Sequence, residues 1–242
     1  GPKVELFEQE WGELFGYKHN HAVSSGTDAD TNAVAFLYDL GAKRGDEVIV
    51  PALCFIAVAN AVLAAGFVPV FVDINRETLN IDPSKMEEKI TGKTRAVMTV
   101  HTMGKPCDMV AIINMASRRG LTIIEDACEA HGATYLGKYV GHWGDVATFS
   151  FYAAHLICCG EGGMVSTNRD DVSASVVSTR SHGRVGGSSY FDHVRIGFNS
   201  KMNDLEASLG LEGVANFWET FSARKKNLEY LLDGCKDLQE FA

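Results

Sequence analysis

The stretch SFYAAHLICCGEGG, residues 150–163, sets one imidazole, His155, between the end of an apolar run and a glycine-rich turn. Three roles suit a histidine so placed. It can pack in a core, ligate a metal, or act as a base that takes and returns protons near neutrality. A zinc site needs three or four converging nitrogen, sulfur or oxygen ligands. The adjacent Cys158 and Cys159 make a poor pair for one ion, and His101, His131 and His142 are spread over separate loops. No metal site is expected.

Three further stretches carry groups that could do chemistry. In SSGTDAD, residues 24–30, small residues precede a helical run. A helix N-terminus offers free N–H groups and a favourable dipole to a phosphate, although capping by Ser25 or Thr27 accounts for the same residues. Neither GxGxxG nor GK[ST] occurs. Asp126 closes the apolar run LTIIED. A carboxylate there is costly to bury without a cation or good donors. It could hold a heterocycle's ring nitrogen protonated, as an electron sink requires, or cap the next helix. Phe55, after PALC, could stack on a planar ligand or belong to the core.

These groups need a scaffold, and the pattern around them supplies one. DEVIVPA, VPVFVD, RAVMTVH, LTIIEDA, DVATFSF and GGMVST read as strands. Helices are expected over 55–65, from Pro83 to about Ile90, and over 108–119. Continuously apolar strands joined by helices indicate an α/β fold, a mostly parallel mixed sheet between helices. Ligands of such sheets gather at the carboxyl ends of the strands, where Asp73, His101, Glu125, Asp126 and Ser150 fall. From Asn203, a plausible cap, a long amphipathic stretch runs to a stop at Gly234. The segment 180–193 reads as an exposed, glycine-containing loop.

Of the 242 residues, 22 are basic and 31 acidic, a net charge of −9 that argues against a general nucleic-acid binder. No run approaches about 18 apolar residues, so no membrane span is expected. Six cysteines without a CxxC spacing read as reduced thiols of a cytoplasmic protein.

SSGTDAD, VPALCFIAVANAVLAAGFVPVFVDINRETLNID, TIIEDACEAHGATYLGKYVGHWGDVATFSF, GEGGMVSTN and IGFNSKMNDLEASLGL occur in this order. Together they resemble the DegT/DnrJ/EryC1/StrS sugar aminotransferase family of fold-type I pyridoxal-phosphate (PLP) enzymes, over nearly the whole chain. The resemblance implies residues 1–217 as a cofactor-binding large domain and 218–242 as a helical linker or the start of a small C-terminal domain. In that family the fifth residue after the serine of SF is the lysine that bonds to the cofactor. Here it is His155, and the nearest lysine upstream is Lys138. SFYAAH together with HTMGKPCD, 101–108, resembles the lysine-less sugar 3-dehydratases, and most closely the GDP-4-keto-6-deoxymannose 3-dehydratase subgroup.

The resemblance implies a dehydratase that keeps pyridoxamine phosphate (PMP) free in the site, with His155 as base, and removes the C3 hydroxyl of a nucleotide-linked 4-keto-6-deoxy sugar. Glutamate would regenerate PMP. Gly26 and Thr27 would donate N–H groups to the phosphate, with the Ser150 hydroxyl on the same group. Phe55 would stack on the ring, Asp126 would pair with its nitrogen, and Glu129 would face its hydroxyl. Asn199 would reach the phosphate of a neighbouring subunit, implying a homodimer. One kind of 3-dehydratase carries an iron–sulfur cluster on cysteines after R-x-x-G-R. The segment 180–198 has none, so no iron–sulfur cluster is expected. The alternatives are a lysine-less pseudoenzyme that binds cofactor or sugar nucleotide, and an unusual sugar aminotransferase.

Overall fold

The computed structural model describes residues 1–185 and 192–236. The helix α1 (Pro2–Phe15) leads into β1 (His19–Val23) and α2 (Gly26–Ala35). Then come β2 (Glu47–Pro51), α3 (Ala57–Ala64), β3 (Val68–Val72), β4 (Thr94–Val100), α4 (Met109–Arg119) and β5 (Thr122–Asp126). A ribbon of β6 (Thr134–Tyr135) and β7 (Lys138–Tyr139) precedes β8 (Val146–Ser150), β9 (Gly163–Thr167) and α5 (Asp170–Thr179). Two helices follow, α6 (Asp204–Ala215) and α7 (Phe217–Gly234).

Seven strands form one sheet in the order β1-β9-β8-β5-β4-β2-β3. The pairs β2–β3, β2–β4, β4–β5 and β5–β8 are parallel, while β8–β9 and β1–β9 are antiparallel. The sheet is thus the mostly parallel, mixed one that the apolar runs imply. Alternate residues serve opposite faces, as strand geometry demands. Val48, Val50, Ile124 and Val146 pack with α2, α3 and α5, whereas Ile49, Val97 and Ile123 pack with α4. Ala147 and Phe149 face α1 and α6.

Several expectations are corrected. The helix expected from Pro83 to Ile90 is two 3₁₀ turns, Pro83–Lys85 and Glu87–Lys89. Only Met86 of that segment's apolar side chains is fully buried, too little packing to hold a longer helix. The stretch from Asn203 breaks at Asn216. There Phe217 turns inward against Phe15, with ring centroids 5.1 Å apart. Asn203 is a full capping box with Glu206, as its position suggested. The helix expected over 55–65 starts two residues later, leaving Phe55 outside it. Residues 186–191 of the loop 180–193 lie outside the described residues, as do 237–242 of the expected second domain.

Glu125 sets the end of β5. Its side chain is fully buried and accepts from His101 Nε2 at 3.0 Å, Gly141 N at 2.8 Å and Trp143 N at 2.7 Å, and also from Gly144 N. Although it is one of the polar strand ends, it therefore serves the architecture. Truncating it strands buried donors, each worth about 1–3 kcal/mol. Glu125→Ala is expected to cost about 3 kcal/mol or more, a fall of roughly 6–12 °C in Tm by calorimetry. Glu125→Gln, which keeps one acceptor oxygen, should lose less; equal losses would show that the carboxylate's second oxygen carries the structure.

Candidate active site

Because neighbouring strand residues point to opposite faces, β5 turns Glu125 toward one side of the sheet and Asp126 toward α2. Asp126 is 6% exposed, and its Oδ1 accepts the Cys128 N–H at 2.9 Å. A carboxylate oxygen of Asp126, one of Asp30 and the Cys128 sulfur all lie within 4.8 Å of one another. Asp30, 1% exposed, takes a 2.6 Å hydrogen bond from the Thr148 hydroxyl. Burial lifts both carboxyls above the usual range. The Asp126 charge adds to the shift of Asp30, and the Cys128 N–H opposes that of Asp126. Two buried carboxyls so close cannot both ionise cheaply.

The α2 N-terminus lies beside this pair. Ser25 caps it, its Oγ accepting from Asp28 N at 3.1 Å, and the first intrahelical bond runs from Ala29 N to Ser25 O. The Gly26 and Thr27 N–H groups precede that bond and are directed off the helix end. A Cβ on Gly26 would stand 2.6 Å from Ser150 Cβ, so a glycine is needed for Ser150 to reach the cradle. Gly163 plays the same part from β9, where a Cβ would meet Ser25 O at 2.3 Å. The two stretches SSGTDAD and GEGG therefore build one small, donor-lined cradle.

His155 follows β8 and is half-buried. Burial lowers its pKa first; Glu129 opposes that shift and Arg224 adds to it. Arg224, from α7, donates to the carbonyls of Ala154 at 3.3 Å and His155 at 3.2 Å, tying the loop down. Glu129 accepts from Met103 N at 2.5 Å. A cleft of about 510 Å³ is lined by Cys128, Glu129, His131, His155, Leu156 and Arg224 among others.

Most of the expected site residues converge. Gly26 and Ser150 touch, Thr27 sits at the same helix start, and Glu129 acts electrostatically on both Asp126 and His155. Phe55 is 75% exposed at the carboxyl end of β2. Its neighbour Cys54 has its thiol pushed up to about 11 by burial and then by Asp126 and Asp30, which puts this turn beside the carboxyl pair. Asn199 does not join the cluster: it is exposed and accepts from the Lys201 ammonium at 2.6 Å. His101 and His142 do belong to separate places, the first on Glu125 and the second stacked on Tyr17 at 3.9 Å. His131 is the correction, since its ring centroid lies 5.9 Å from that of His155.

This donor set fits a phosphorylated pyridine cofactor. A helix start and a hydroxyl suit the phosphate, and the positive charge of a protonated ring nitrogen would restore the ionised form that burial withholds from Asp126. Sequence reading missed Asp30, His131 and Arg224. Asp30 lies within the SSGTDAD stretch, and a charged residue on the inward face of a helix was the signal available.

The profile of the DegT/DnrJ/EryC1/StrS aminotransferase family matches residues 1–242. Among curated proteins, the chain is 43% identical over 226 residues to GDP-perosamine synthase of Caulobacter vibrioides, covering 93% of this chain and 60% of the relative. Among solved structures it resembles an aminotransferase from Psychrobacter cryohalolentis with a TM-score of 0.91 at 34% identity, covering 99% of this chain and 62% of that one. It also resembles E. coli GDP-4-keto-6-deoxy-D-mannose-3-dehydratase with bound hydrated PLP, with a TM-score of 0.90 at 31% identity, covering 98% of this chain and 66% of that one. The chain thus spans about 60% of the length of the curated relative.

The Asp30–Asp126 pair gives a signed pH dependence. Groups whose folded pKa is raised stabilise the fold below their unfolded pKa, near 4, and lose that contribution as pH rises through the folded value. Asp30→Asn is therefore expected to raise Tm at pH 7 relative to the parent, with the gap closing toward pH 4. A lower Tm at pH 7 would mean that Asp30 is held as a stabilised carboxylate.

Proposed function

The chain belongs to the DegT/DnrJ/EryC1/StrS aminotransferase family and has the fold-type I architecture, and from that premise we propose that it is a PMP-dependent 3-dehydratase of a nucleotide-linked 4-keto-6-deoxy sugar. GDP-4-keto-6-deoxymannose is the favoured substrate. One observation carries the reading: an imidazole, His155, stands in the cleft where the family resemblance places a lysine.

When bound, the cofactor supplies an amine for the sugar's ketone and a ring that accepts the electron pair left by a departing proton. The remaining work falls to this chain. Gly26, Thr27 and Ser150 would hold the phosphate, Phe55 would cover one ring face, and Asp126 would keep the ring nitrogen protonated. Glu129 would face the ring hydroxyl. His155, neutral at ordinary pH because burial and Arg224 disfavour its charged form, would take the proton on its ring nitrogen and hand it to the departing hydroxyl. An imidazole makes no lasting covalent bond to the cofactor, so the amine form stays free.

Glutamate is the proposed donor that restores the amine. Asn199, facing solvent, would complete the site of a second subunit in a homodimer. Residues 218–242 would open a smaller domain, a reading supported by the exposed Leu228, Leu231 and Leu232 along α7. Segment 180–198 offers no cysteine to an iron–sulfur cluster, and the proposed chemistry uses none. Amino transfer is the second reading, favoured by the 43% identity to a GDP-perosamine synthase.

Product analysis separates the two. Incubating the protein with PMP, glutamate and GDP-4-keto-6-deoxymannose is expected to yield loss of the C3 oxygen and release of ammonia. A stable 4-amino sugar would overturn the dehydratase reading. The acid limb of kcat, where His155 gains its blocking proton, is expected below the ordinary histidine value of about 6.5. Arg224→Gln should move that limb up in pH, and Glu129→Gln should move it down.

A further inference from the structure

His131 is 2% exposed, and neither ring nitrogen meets a partner in hydrogen-bonding geometry. The Ser150 backbone lies close enough to favour its proton weakly, but burial and then His155 dominate and push the pKa down to about 3. Its other neighbours are aromatic: Trp11, Phe149 and Phe151, with ring centroids at 5.5, 5.8 and 5.9 Å. A phenylalanine would suit such walls, whereas an unpartnered buried imidazole costs about 1–3 kcal/mol. Packing alone does not account for this residue.

The same ring helps line the cleft of about 510 Å³ in which His155 stands. The two imidazole centroids are 5.9 Å apart, with 36° between the ring planes. No hydrogen bond joins them. A shared oxygen about 2.8–3.0 Å from one nitrogen of each ring would sit roughly 4 Å from each centroid, off the line between them, a position that rings so spaced can both reach.

Resting on the dehydratase reading, we propose that His131 and His155 together grip the hydroxyl oxygen that leaves the substrate, with His131 as a second catalytic residue that orients it through its N–H. The step balances without a further reactant. With the cofactor bound, which would supply an acidic C–H beside its amine nitrogen, His155 would take that proton, and the electron pair of the C–H bond would move toward the substrate carbon bearing the hydroxyl. The C–O bond breaks with its pair on oxygen, His155 returns the proton, and water departs. His131 is neutral throughout and exchanges nothing. It aims the oxygen at His155 so that one imidazole can act as base and then as acid.

The test uses His131→Phe and His131→Gln in the intact protein. Without cofactor, His131→Phe is expected to keep or raise Tm, because the orphaned nitrogens are gone. With PMP and GDP-4-keto-6-deoxymannose, it should lose about 100-fold in kcat, the scale of one lost transition-state donor, with KM changed by less than about threefold. His131→Gln, which restores an N–H donor, should recover at least about tenfold of that loss. A clear fall in Tm for the cofactor-free phenylalanine variant would make His131 structural and overturn the inference. Deoxygenation at the parent's kcat in His131→Phe would overturn it alone. A parent protein that leaves the C3 oxygen in place would overturn the proposed function and this inference with it.

Discussion

The fold hangs on one buried carboxylate. Glu125 accepts from three backbone N–H groups of the turn 141–144 and from His101 Nε2. His101 in turn accepts the Cys107 N–H on Nδ1 at 3.1 Å, which assigns its proton to Nε2 and makes it a donor toward Glu125. Through this chain the end of β4, the approach to α4, the end of β5 and the entry to β8 are held in one register. Asp126 is the next residue. Its direction is then dictated by strand alternation alone, so the carboxyl on the α2 side is aimed by the carboxyl on the other.

That arrangement explains how the protein tolerates a site made of costly parts. Asp30 and Asp126 share one buried space, and His131 holds two nitrogens without partners. Each would be improved, for stability alone, by an apolar residue of similar size. Such features persist only where the surroundings over-determine the geometry. Here the surroundings are a seven-stranded sheet covered on both faces, with Trp11, Phe149 and Phe151 walling the His131 side. Groups that want a partner are held rigidly beside a cleft, which is the condition for binding a ligand without rearrangement.

The parallel core was legible because continuously apolar runs with helices between them have few other folds available. The carboxyl ends of those runs then named Asp126 and Ser150 from the chain alone. The edge was less readable. HNHAV, the strand β1, is short and partly polar, and only its antiparallel pairing with β9 makes it a strand. Helix α1 went unread although it buries Phe7, Trp11 and Phe15, because its partners are on α6, β8 and the 151 loop, far along the chain. Arg224 and His131 were hidden for the same reason. Their partners, the 154–155 carbonyls and the His155 ring, are supplied by tertiary packing, to which local spacing is blind. Asn199 was legible only by resemblance, and among the described residues it is not part of the cleft lining.

In the proposed function an imidazole stands where the family resemblance implies a lysine, and that changes what the neighbourhood must provide. A lysine bonded to the cofactor is positioned by that bond. An imidazole has no such tether, so its aim depends on the protein. Arg224 supplies the tether from outside, fastening the carbonyls of residues 154 and 155 to α7, while its charge disfavours the imidazolium. Glu129 pulls the other way, and its own carboxylate is fixed by the Met103 N–H. The balance favours the neutral ring, the state from which the proposed base would start. A cation that both anchors the loop and biases the ring's charge ties the orientation of His155 to its protonation.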